Sequence, residues 1–180
     1  LFPYTTLFRS WNVVFPSLIL QRRAKVQVAV LPSKQASDAN YKRVLQWAMT
    51  PERVAINILH ARIPDNAGAQ PQEEPVVFDG PTAYFSGLPL TRLVHQLRAC
   101  EIPASISNTA GTFVCNQVFY WLQHTWGRSD RLSGFVHLPC LPEQVSRMAM
   151  TPACPSLPLD VQVRAVREML GVIADEKQDA

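Results

Sequence analysis

The chain has 180 residues, 47% of them hydrophobic, and a formal net charge of +3 from 17 Lys and Arg against 14 Asp and Glu. That is enough to bury the core of one domain, and the charge is too mild to imply nucleic acid or an anionic membrane as partner. No apolar run approaches the roughly 20 residues of a membrane span, and Cys100, Cys115, Cys140 and Cys154 show neither CxxC spacing nor a dense framework, which points to reduced thiols in the cytoplasm.

Residues 1–10, "LFPYTTLFRS", read as a foreign leader. The stretch matches the in-frame translation of a sequencing-adapter oligonucleotide and has neither the basic start nor the small-residue cleavage site of a signal peptide. Residues 11–180 are expected to form a single domain, with no internal repeat or linker. "KVQVAVL" (25–31) alternates and predicts a strand. "SDANYKRVLQWAM" (37–49) has helix formers behind a Ser/Asp start and predicts a helix. The β-branched "RVAINILHARI" (53–63) predicts a strand, and "PDNAGAQPQEEP" (64–75) is dense in turn formers and predicts a loop. In "LPLTRLVHQLRAC" (88–100), Leu90, Leu93, Val94 and Leu97 form one stripe behind Pro89 in the first turn, the pattern of an amphipathic helix.

"PASIS" (103–107) predicts a short strand, followed by a loop that turns into a helix within "NTAGTFVCNQVFYWLQHT". "GFVHLP" (134–139) predicts a short buried strand. In "LDVQVRAVREMLGVIADE" (159–176), Val161, Val163, Val166, Met169, Leu170 and Ile173 fall mostly on one side of a last helix, and "KQDA" is expected to fray. Strands alternating with helices predict an α/β fold with a largely parallel sheet covered on both faces.

In such a sheet, sites form beyond the carboxyl ends of the strands. Cys115 lies a few residues after "PASIS", on the turn into a helix, where the helix dipole and free N–H groups favour anions. A thiol at such a turn ionises more readily, as a nucleophile must, and the same N–H groups suit the oxyanion of an acyl-transfer intermediate. Gly111 lets the backbone turn tightly just before it. A nucleophilic thiol needs a base. His60 lies in a strand pattern and His95 and His124 on helices, whereas His137 follows "GFV" at the end of a buried strand. A third group normally orients the imidazole, but spacing alone does not choose among Glu52, Asp65, Glu73, Glu74 and Asp79. Each of these residues also has a plainer reading, as a buried structural cysteine, a satisfied core histidine or a solvated acid. The Cys and His residues lack metal-ligand spacing, so neither metal nor cofactor is expected. "FYW" (119–121) reads as a helix face in a core or interface rather than a base-stacking platform.

Five blocks, "TPERVAIN", "ARIPDNAGAQP", "GPTAYFSGLPLTRLV", "EIPASISNTAGTFVCN" and "GFVHLPCLPEQ", occur in the order seen in pyroglutamyl peptidase I, the pyrrolidone-carboxylate peptidases, and from about residue 50 to 144 the chain closely resembles that family. The resemblance implies an α/β/α sandwich around a mostly parallel, mixed sheet. It implies a cytoplasmic cysteine peptidase that removes N-terminal pyroglutamate from peptides, commonly as a homotetramer and without a cofactor. Carried onto this chain, it makes Cys115 the nucleophile, His137 the base and Glu52 the orienting acid. It sets Arg62 near the site and makes Phe113 and Val114 lining residues of the pyroglutamyl pocket.

Two family elements have no counterpart. One is the opening strand with its "GFEPFGG"-like loop, so that N-terminal strands are expected to be missing. The other is a strand ending in a "GQAGGR"-like loop, expected between "VLP" and "TPERVAIN". Both loops help hold the substrate ring in the family. The competing expectations are therefore a non-catalytic or defective remnant that lacks a complete pocket, or another cysteine amidohydrolase resembling glutamine amidotransferases, against which the motif order speaks.

Overall fold

The computed structural model describes residues 26–32, 48–65, 67–127, 132–147 and 156–176. Its strands are β1 (Val26–Pro32), β2 (Thr50–Pro51), β3 (Val54–Ile56), β4 (Ala83–Phe85) and β5 (Leu132–Leu138). Its helices are α1 (Leu90–Ala99), α2 (Val114–Trp126), α3 (Pro142–Arg147) and α4 (Leu159–Glu176). The leader 1–10 lies outside the described residues, and so does the helix expected over 37–49 except for Ala48 and Met49. Those two are not helical: Met49 begins an extended run and bridges Ala104.

β5 is central. It pairs in parallel with β1 (Val30 beside Val136, Leu31 beside His137) and antiparallel with β2 (Thr50 beside His137, Pro51 beside Val136). The predicted "PASIS" strand extends this mixed sheet. Met49 N–H bonds Pro103 O, Ser105 N–H bonds Met49 O, Ser107 N–H bonds Pro51 O and Arg53 N–H bonds Ser107 O, a parallel ladder in which only Ala104 and Ser107 count as bridges.

The strand expected over 53–63 is real only in part. Three residues of it, β3, pair with β4. Beyond Asn57 the run breaks, because its groups turn to other partners: Leu59 exchanges two backbone bonds with Glu74, and His60 N–H bonds Thr112 O.

Alternation along β5 sorts the core into two clusters. Val136 packs with Met49, Ala104, the α1 stripe (Leu90, Leu93, Val94, Leu97) and α4 (Ala165, Met169, Ile173). Its neighbour Phe135 faces the other way, onto Phe119 and Tyr120 of α2, with Ala55, Leu59 and Val76. Helices thus cover both faces, as an α/β fold requires. Gly134 shares the Val136 face, where a Cβ would lie 2.4 Å from Leu88 Cδ1, so this strand position has room only for glycine.

The α1 stripe is buried as expected, and Arg92 pairs with Glu176 while Gln96 bonds Glu168 across to α4. On α4 the buried line is Gln162, Ala165, Met169 and Ile173, and Val163 is exposed. Its first turn buries Gln162 because the amide donates to Pro139 O and Leu157 O, closing loops that apolar valine could not satisfy. No described helix is long and apolar enough to cross a membrane.

α1 ends on a left-handed residue. Ile102 N–H bonds Leu97 O and Glu101 N–H bonds Arg98 O, the paired bonds of a Schellman cap, with Glu101 at φ 59°. Glycine usually occupies that position, because a Cβ there costs about 1–2 kcal/mol. Glu101→Gly is expected to stabilise the protein by about 0.5–1 kcal/mol after the entropy of the freer chain is subtracted. Urea unfolding would show a higher midpoint at unchanged slope.

Candidate active site

The antiparallel register of β2 and β5 brings an acid to a histidine. Glu52 continues β2, and its N–H bonds Phe135 O at 2.9 Å. Glu52 and Thr50 lie on the face shared by Phe135 and His137, so Glu52 is the diagonal neighbour of His137. Diagonal Cβ atoms are ~7–8 Å apart, a gap that two long side chains can close. They do: His137 Nδ1 meets Glu52 Oε1 at 2.7 Å, with both side chains buried.

The same face carries α2, and Cys115 lies in its first turn, half-buried against the cluster around Phe135. The Cys115 side chain lies near enough to His137 to act on the charge of its imidazole. With Nδ1 committed to Glu52, Nε2 is the ring nitrogen left for the thiol, and Phe135 packs edge-on against the imidazole at 4.9 Å. Burial opposes charge on His137. Its contacts with Cys115 and Glu52, and the negative charge of both, outweigh it and raise its pKa from 6.5 to about 9. Among the described residues, Glu52 Oε2 is buried and has no hydrogen-bond partner. The charge of this carboxylate is therefore met mainly by the imidazole, which favours imidazolium.

The approach to Cys115 is an irregular loop. Gly111 has φ 79°, the left-handed conformation its neighbours in sequence would resist. His60 N–H bonds Thr112 O at 2.7 Å and ties this loop to the segment that carries Arg62. Arg62 is exposed, two residues beyond that tie. Phe113 and Val114, half-buried, lead directly into Cys115. Asp65 Oδ1 accepts from the N–H groups of Ala67 and Ala69, each at 2.8 Å, and shapes the turn after Arg62.

The structure thus brings Cys115, His137 and Glu52 together and sets Phe113 and Val114 beside them. The other acids left open by spacing, Asp65, Glu73, Glu74 and Asp79, do not pair with His137. Among the remaining histidines, His124 Nδ1 meets the Tyr84 hydroxyl at 2.9 Å, within an aromatic group formed with Tyr120 and Trp121. The sequence reading passed over Asn116, which is fully buried beside Cys115. Its only signal is a polar residue on the helical face that Phe119, Tyr120 and Gln123 bury. Among the described residues, no group of three or more His, Cys, Asp or Glu is placed to hold a metal ion, and Cys100 and Cys115 are free thiols.

A profile of the pyroglutamyl peptidase family matches residues 44–176. A pyrrolidone-carboxylate peptidase of Cupriavidus taiwanensis is 48% identical over 134 residues, 73% of this chain and 61% of that protein. One from Vibrio parahaemolyticus is 47% identical over 132 residues, 73% of this chain and 60% of that protein. The chain therefore spans about three-fifths of the length of these relatives. Among solved structures, pyroglutamyl peptidase I of Bacillus amyloliquefaciens superposes with a TM-score of 0.71 at 39% identity, over 85% of this chain and 68% of that one. A mutant pyrrolidone carboxyl peptidase from P. furiosus gives 0.71 at 33% identity, over 84% and 70%.

A histidine whose pKa is raised on folding adds stability that is fully present below its unfolded value and is lost as pH rises through its folded value. For His137 that window runs from 6.5 to about 9. The unfolding free energy of the protein is expected to decline across it. In Glu52→Gln, which removes one source of the shift, the decline should be smaller and its midpoint lower. Urea melts at stepped pH, with the imidazole followed by proton NMR, would check both.

Proposed function

The chain belongs to the pyroglutamyl peptidase family, and on that premise we propose that it hydrolyses the N-terminal pyroglutamyl residue from peptides by thiol catalysis. The observation that carries this reading is the buried His137, bonded to Glu52 at 2.7 Å and with the Cys115 thiol close enough to act on its charge. In the proposed reaction Cys115 acts as thiolate beside imidazolium. Its sulfur attacks the pyroglutamyl carbonyl carbon, and the carbonyl electrons move to oxygen. N–H groups at the start of α2, aided by Arg62, stabilise that oxyanion. As the carbonyl re-forms, the C–N bond breaks and His137 gives its proton to the departing amine. A thioester remains. His137, now neutral, takes a proton from water as the water oxygen attacks the thioester, and pyroglutamate leaves with the thiolate regenerated. Glu52 accepts from Nδ1–H throughout and steadies the imidazole through both proton transfers.

Selectivity in this reading comes from Phe113 and Val114 beside the nucleophile. A small apolar pocket fits an uncharged lactam, whereas an unblocked N-terminus would carry an ammonium into it without a partner and be rejected. The free thiols Cys100 and Cys115, and a sequence without CxxC spacing or a dense cysteine framework, suit a reducing compartment, and the cytoplasm is the location we propose.

The test is release of a fluorescent amine from a pyroglutamyl amide by the full chain. Cys115→Ala and His137→Ala should each lower kcat/KM by ~1,000-fold or more, because members of such a unit fail together. A prolyl amide, which has the ring but a charged nitrogen, should be turned over far more slowly. A folded protein with no Cys115-dependent release would overturn the proposal and favour a non-catalytic remnant. Equal turnover of both amides would overturn its substrate.

A further inference from the structure

Burial of apolar side chains docks α2 onto the sheet, through Phe119, Tyr120, Val118 and Cys115 itself. Such contacts are non-directional and do not by themselves set the position of a sulfur atom. Phe113 at the head of the helix has no side-chain oxygen to cap it. Directional contacts further along the helix are made by Tyr120 to Pro81 O and by Gln123 with Ser133 of β5; the one beside Cys115 comes from Asn116. Its Oδ1 accepts the Ile56 N–H at 2.9 Å, and its Nδ2 donates to Ile56 O at 2.8 Å and Ile58 O at 2.9 Å. The carboxamide reads the edge beyond β3 as a neighbouring strand would. Only this orientation of the amide satisfies both kinds of partner.

We propose that Asn116 is a positioning residue, which clamps the first turn of α2 to β3 and so holds Cys115 at the right distance from His137. The proposal rests on the reading of Cys115 as nucleophile. The contacts form a closed circuit: Glu52 is held to β5 through Phe135 O and to His137 through its carboxylate, β3 begins two residues later, and Asn116 returns from β3 to the residue after Cys115. Without the clamp, the helix start retains its apolar seat and the tie between His60 and Thr112, but the nucleophile loses its fixed register.

The test compares the wild-type 180-residue chain with Asn116→Ala, Asn116→Ser and Leu97→Ala, the last a cavity variant in the opposite cluster that controls for lost stability. The first readout is the rate at which iodoacetamide alkylates Cys115, followed by mass spectrometry of its peptide. The rate is expected to fall by about tenfold or more in whichever Asn116 variants fold, with its pH profile displaced, and to stay unchanged in Leu97→Ala. The second is turnover of the pyroglutamyl amide. A misplacement of ~1 Å should lower kcat on the order of 100-fold while KM moves by no more than about twofold. Wild-type alkylation rates in a folded Asn116 variant, or an equal loss in Leu97→Ala, would overturn the proposal. Absence of wild-type turnover would strike the peptidase reading instead, and the alkylation rates would still decide the role of Asn116.

Discussion

Side chains along a strand point alternately to its two faces, and in β5 that alternation decides what everything else can do. Val136 is committed to the cluster under α1 and α4, so Phe135 and His137 must face α2. The antiparallel register with β2 then fixes which residues share that face: Thr50 and Glu52 join His137, while Met49 goes to the other cluster. A slip of one residue in this pairing would exchange the two sets, bury Pro51 against α2 and send Glu52 into the aliphatic layer. The acid–histidine pair therefore follows from the sheet, and the helix only has to deliver a thiol to it.

What sets the pair apart is incomplete compensation. A buried carboxylate with a full set of donors is content with its charge. Among the described residues, the Glu52 carboxylate has one partner and one orphaned oxygen. The cheapest neutralisation within reach is a proton on the imidazole. Burial alone would discharge His137, yet its pKa rises to about 9, so the attraction of its two acidic neighbours outweighs desolvation.

Much of this was legible in the sequence, where the rules are periodic. The Leu90, Leu93, Val94, Leu97 stripe predicted its own burial, and the short buried run "GFVHLP" placed His137 at a strand end. Local spacing could not choose Glu52 among five acids, because the choice depends on a register between chain segments 85 residues apart. The resemblance to a family supplied what periodicity lacked. The strand predicted over 53–63 failed beyond Asn57 for the same reason: β-branched composition reports propensity, while Glu74 and Thr112 determine where the backbone bonds go. Val163 fits an apolar stripe as well as Ala165 does, but Gln162 has the carbonyls of Pro139 and Leu157 to satisfy and turns the helix accordingly.

Glu52 and Asn116 show two uses of a polar side chain that is fully buried. Asn116 has three good hydrogen bonds to backbone and nothing further to gain, so it holds two elements in one arrangement. Glu52 is under-satisfied and relies on a neighbour that can change its charge. A protein that needs a mobile proton between fixed atoms requires both kinds: a satisfied group to resist movement and an unsatisfied one to make a proton transfer worthwhile. Replacing either with an apolar residue of similar size could preserve the packing density of the core. It would remove the directional constraint in one case and the electrostatic bias in the other. Packing alone therefore does not explain why polar atoms remain at these two positions, whereas the proposed positioning of Cys115 and the charging of His137 would.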